Sequence, residues 1–136
     1  MKIYNRAEQI YRALLLFCAF YFLAVAAAHQ AGTKIPLLYI FYSVPSERYQ
    51  DLIISFLSFG WCMLFLVGFL DRDLKPGIQA PILLSGTVAL FGLVRAGREM
   101  AAHAEIHYEI AALAVLLIAM IWAFMISVRR RKANGP

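Results

Sequence analysis

Arg95 follows an uncharged run from Gly77 to Val94, and Glu99 lies four residues further on. A guanidinium at the end of so long an apolar run is expensive to hold unless a carboxylate or water reaches it, so it is the first place to look for chemistry. Asp51 and Glu109 stand at the start of two other apolar runs. Together, Asp51, Arg95, Glu99 and Glu109 could do one of two things. They could lock helices in register as a buried ion-pair cluster, which is the preferred reading, or they could line a polar pocket for an anionic or polar ligand.

The three histidines suggest metal chemistry less strongly. In His103-Ala104-Glu105-Ile106-His107 the imidazoles are spaced i,i+4, which on a helix can offer two ligands to one ion. Glu105 would point almost opposite, leaving His29 as the nearest source of a third ligand. The run is not His-Glu-x-x-His, so the zinc-protease pattern is absent. Solvated loop histidines are the expected state. Bis-histidine haem between His29 and His103 or His107 is weaker still, because all three would lie near the membrane surface. Cys18 and Cys62 stand singly in apolar surroundings and read as small hydrophobes. With no Cys-x-x-Cys, Gly-x-Ser-x-Gly or phosphate-binding glycine loop, no catalytic residue is assigned and no enzyme, metal or cofactor is expected.

The elements that must carry these residues are membrane spans. The chain is 62 % hydrophobic and 15 % charged, against roughly 45–50 % and 25 % in soluble domains. At 136 residues it is read as one integral membrane domain. Spans are predicted at about 12–30, 50–70, 78–97 and 108–128. At about 1.5 Å per residue, each can cross roughly 30 Å of hydrocarbon. Asp71–Gly77 is a short polar break that forces an antiparallel hairpin, with Pro81 placed in the first turn of the third span. Ser46 is expected to cap the second. Between the first two spans, Leu37–Tyr42 is too short to cross and is read as an aromatic interfacial or re-entrant segment, or as a cap over the bundle mouth. Ala26-Ala27-Ala28 before His29 has the look of a signal-cleavage site. The apolar stretch is long for a signal and its flank carries Glu8, so an uncleaved first helix is expected.

Of the Lys and Arg residues, Lys2, Arg6, Arg12, Arg72, Lys75 and Arg129–Lys132 fall on one side of such a bundle, and Lys34, Arg48, Arg95 and Arg98 on the other. That is the positive-inside pattern. It puts both termini in the cytoplasm, in a bacterial inner membrane, and argues against nucleic acid as the meaning of the net +5 charge. The partners implied are the lipid bilayer and either a second copy or a membrane complex. At about 100° per residue, Ser85, Ala89, Gly92, Ala96 and Glu99 share a stripe on the third span with Arg95 at its flank. Gly60, Ser85, Ala89 and Gly92 are the predicted helix-packing positions, and Glu99, Arg95 and Glu109 should turn into the bundle mouth toward Asp51.

Tyr49–Leu70, the polar hairpin after it, Ala89-Leu90-Phe91-Gly92-Leu93-Val94-Arg95 and the acidic Glu109 resemble the small four-helix bacterial membrane proteins of the DoxX-like kind, nearest the family called domain of unknown function 4345. The resemblance spans the last two-thirds of the chain and would carry over Gly92, Arg95 and Glu109. It implies a four-helix membrane fold but no activity, and some DoxX-type relatives are accessory subunits of membrane redox complexes. The expected molecule is therefore an all-α, four-span bundle with a structural or accessory role, or else a small-molecule binder or redox-complex subunit using the same outer pocket.

Overall fold

The computed structural model describes residues 6–39, 45–99 and 105–133. They form four long helices: α1 (Arg6–Ala31), α2 (Arg48–Leu70), α3 (Pro76–Glu99) and α4 (Glu105–Ala133). Each is long and apolar enough to cross a membrane. The four-helix, all-α architecture follows the predicted spans, with helix ends running a few residues further than the apolar runs themselves. Large apolar side chains such as Phe17, Phe20, Phe56, Leu84, Phe91 and Ile118 cover the outside. Water would reject that surface, whereas lipid tails accept it.

The bundle is built on α1. Its buried side chains Tyr11, Leu15, Cys18, Val25 and His29 recur at intervals of three, four or seven residues, and Asp51, Ser55, Ser58, Cys62 and Phe65 do the same on α2. Alternating steps of four and three keep one narrow face of each helix turned toward its neighbour, and the two seams meet in the most extensive helix interface of the molecule. Phe22, Trp61 and Phe65 stack along it, with ring centroids 5.6–5.8 Å apart. Helix α4 packs on the other flank of α1 through Met120 and Ala123, and Phe124 meets Tyr11. Helix α3 packs on α4 and touches α2 least of the packed pairs.

Local chemistry sets the helix ends. At the end of α1, Gly32 adopts φ +68°, its N–H donates to the His29 carbonyl and that of Thr33 to Ala28, an arrangement that favours glycine. Pro76 opens α3, where its missing N–H is not needed, so Pro81 falls in the second turn rather than the first. Glu47, not Ser46, is the N-cap of α2, its N–H donating to Gln50 Oε1 at 2.9 Å.

The predicted packing positions need correction. Beside Gly60 and Gly92 there is open space, and Ala89 is exposed. The close approaches are at Gly68 and Gly86 instead. A Cβ on Gly68 would come within 2.5 Å of Ile82 Cδ1 on α3, and one on Gly86 within 3.2 Å of Leu117 on α4. Small residues matter where a large partner leans on them, and their own spacing does not show where that is.

Candidate functional site

All four helices are tied together at one end, whereas towards the other α3 has little contact with α2. At the end that holds the start of α1 and the finish of α4, the side chains form a polar knot. Arg12 of α1 donates to the carbonyls of Phe69 and Asp71 at 2.7 and 2.9 Å, satisfying acceptors that the last turn of α2 leaves without helical partners. Glu8, 3 % exposed, lies 3.5 Å from Arg12 and also receives a hydrogen bond from Arg131 of α4. Arg131 reaches the Asp73 carbonyl in the α2–α3 turn as well. Tyr11 donates to Gln79 Oε1 at 3.0 Å, and Gln79 Nε2 donates to Gly68 O and to Asp71. Asp71 accepts further bonds from the N–H groups of Lys75 and Asp73. Partial burial works against its charged form, but the bonds from Gln79, Lys75 and Asp73 and the nearby Lys75 charge outweigh it and hold the carboxyl below its ordinary value. These bonds join all four helices and the α2–α3 turn, so the knot closes that end of the bundle.

At the distal end lies a cavity of about 790 Å³. Leu57 and Ile54 of α2, Ala89 and Leu93 of α3, and Leu113 and Leu117 of α4 are among its walls, while Cys18, Phe65, Ile82 and Met120 line it toward the molecule's middle. Ala89 and Gly92 therefore do turn inward, but they face this space and not a neighbouring helix. The volume falls within the range of ordinary small-molecule pockets, and nearly all of the lining is apolar.

The exception is the cavity's polar end, where His29, Tyr39, Ser46, Gln50 and Asp51 converge. His29 Nδ1 lies 3.0 Å from Asp51 Oδ1, with His29 4 % and Asp51 6 % exposed. Ser46 donates to the same carboxylate, 3.3 Å from each oxygen. Tyr39 stacks on the imidazole at a centroid distance of 3.7 Å and donates to the Ala28 carbonyl at 3.4 Å. Burial, then the Asp51 charge, push the Tyr39 phenol above its ordinary value, with Arg48 opposing. Arg48 donates to the carbonyls of His29 and Gln30, so a cation and two hydrogen bonds complete the α1 terminus and fix the turn that carries His29. The connection after α1 thus folds back over the helix. Tyr21 donates to Leu37 O at 2.8 Å, and Tyr39 is buried and not spread at a membrane surface. Residues 40–44 of the expected aromatic segment lie outside the described residues.

Of the predicted polar cluster, only Asp51 occupies this position. Arg95 and Glu99 pair with each other at 3.7 Å, but their side chains are 79 % and 71 % exposed, so they do not turn into the bundle mouth. Glu109 is half-buried in the first turns of α4. The physical reason is the splay of α3. Beyond Leu83 the described part of that helix buries only Gly97, so nothing presses Arg95 against a neighbour. Among the histidines, His107 is exposed and His103 lies outside the described residues. His29 shares its site with Asp51, and among the described residues no three His, Cys, Asp or Glu side chains are grouped to hold a metal ion.

The His29–Asp51 pair was missed because the two residues were assigned to different groups, His29 to a weak metal or haem candidate and Asp51 to the cluster with Arg95, Glu99 and Glu109. The signal was present in the two seams. Counting back from the Phe65 seam of α2 in alternating threes and fours reaches Asp51, and counting forward along the Tyr11 seam of α1 reaches His29. No family model, curated protein or solved structure matches the chain.

Proposed function

We propose that this is a membrane-embedded binding protein for a small amphipathic molecule, whose apolar body fills the distal cavity and whose polar head meets His29 and Asp51. The observation that carries this reading is the combination of a large apolar space with one buried, hydrogen-bonded polar pair at its end. An apolar hole needs no ionisable pair, and burying one is costly unless it has a use. The thin α2–α3 contact supports entry from the side, because a molecule dissolved in the bilayer could pass between these helices above Gly68. A purely structural role accounts for the Glu8–Arg12–Arg131 knot but leaves the cavity without a purpose. The basic residues around the knot, including Arg72, Lys75, Arg129 and Arg130, favour that end as cytoplasmic and the cavity as lying in the outer half of a bacterial inner membrane. Kinship with the DoxX-like proteins and service as a subunit of a larger membrane complex are compatible with this reading.

Trp61 lines the cavity, whereas Trp122 is exposed on the outside. In a Trp122→Phe background reconstituted in lipid nanodiscs, a brominated long-chain phenol should quench Trp61 saturably. Adding Ala89→Phe, which fills the cavity, should weaken that saturable binding at least tenfold without abolishing the folded state. Quenching that rises linearly and equally in both proteins would show only partition into lipid and would overturn the proposal.

A further inference from the structure

Asp51 dictates which kind of head group the cavity accepts, an inference that rests on the binding reading above. His29 presents Nδ1 to the Asp51 carboxylate at 3.0 Å. An ionised carboxylate can only accept hydrogen bonds, so the proton of the neutral ring sits on Nδ1. Nε2 is then a bare acceptor, and it makes no hydrogen bond to any described residue. The ring cannot readily turn to exchange its nitrogens. Tyr39 stacks on its face at 3.7 Å, the His29 carbonyl is held by Arg48, and the Asp51 carboxylate is held from the other side by Ser46.

The surroundings also set the charge of the head. The Asp51 carboxylate lies directly beside the ring and disfavours a carboxylate or phosphate head at the same place. The nearest guanidinium, Arg48, is occupied by the carbonyls of His29 and Gln30. What remains is a head that carries no negative charge and donates a hydrogen bond. We infer that the distal cavity selects amphiphiles with a hydroxyl head, such as a long-chain phenol or alcohol, whose O–H donates to His29 Nε2 while the chain lies among the apolar walls.

The test uses the full chain in lipid nanodiscs and two probes of nearly equal shape, 4-dodecylphenol and its methyl ether, each competing with the brominated phenol for Trp61 in the Trp122→Phe background. The expected result is a preference for the phenol of at least tenfold. His29→Phe keeps an aromatic ring under Tyr39 and should bring the two probes to within about twofold. Because that variant leaves Asp51 without its ring partner and could unfold, Asp51→Asn provides the second arm. The asparagine amide can donate to Nδ1 and move the ring proton to Nε2, so the phenol preference should fall and 4-dodecylacetophenone, an acceptor only, should gain affinity. Equal binding of phenol and ether to the wild-type pair His29–Asp51 would overturn this inference while leaving a binding cavity in place. Binding of neither probe, together with unsaturable quenching, would overturn the binding reading itself.

Discussion

The two ends of this bundle handle buried polarity in opposite ways. At the terminal end, Glu8, Arg12, Gln79, Asp71 and Arg131 bind one another and nearby carbonyls, and draw all four helices and the α2–α3 turn together. At the distal end, His29 and Asp51 satisfy each other on one side only, and the apolar space beside them stays open. In lipid there is no hydrophobic force to press helices together, so a bundle closes where polar groups or close packing tie it and stays apart elsewhere. The fixed end thus allows the other to remain open. On the proposed reading, stability and binding sit in different halves of one small protein.

That contrast can be broken most forcefully at Glu8. Glu8→Leu leaves Arg12 and Arg131 without the carboxylate they share and should lower stability by about 3 kcal/mol or more, read by unfolding in mixed micelles. A loss no greater than that of an ordinary surface change would mean that the knot does not hold the bundle. The next effect is steric. Gly68→Ala drives a methyl group toward Ile82 and Gln79 and should cost about 1–3 kcal/mol, whereas Gly60→Ala, beside open space, should change stability by less than about 0.5 kcal/mol.

Acid offers a gentler probe of the same end. The Asp71 carboxyl is held below its ordinary value in the folded protein. Its contribution is therefore complete above the ordinary aspartate range and is lost as pH falls through the folded value. Asp71→Asn should flatten the acid limb of the stability profile and leave the neutral-to-alkaline limb in place. The smallest expected effect is at Arg95. Arg95→Ala should shift stability by less than about 0.5 kcal/mol, because the ion pair with Glu99 is exposed on both sides. A loss of folded protein there would restore Arg95 as an organising residue.

The sequence was most informative where a one-dimensional quantity decides the outcome. Apolar run length gave the spans, and the polar break Asp71–Gly77 separated the second from the third. The site was harder to read because it depends on which helix faces touch. Arg95 drew attention through the cost of its charge in lipid, but it lies exposed beside Glu99 in the last turns of α3 and not inside the bundle. Gln79 is uncharged and lies inside an apolar span, yet it joins α1, α2 and the turn. Nothing in its type or spacing marks it. Asp51 was selected for its position near a helix start, and its true partner, His29, becomes visible only when the seams of α1 and α2 are aligned.

The account rests on the distal cavity being an occupied site and not merely a gap in packing. The most direct measurement is the unfolding midpoint of the full-length protein in nanodiscs as 4-dodecylphenol is titrated, set beside that of Ala89→Phe. A ligand bound only by the folded state stabilises it by about 2.7 kcal/mol at a hundredfold excess over its dissociation constant. The account predicts a concentration-dependent rise of that order in the wild-type protein and none in the cavity-filled variant. Parallel curves for the two proteins would contradict it.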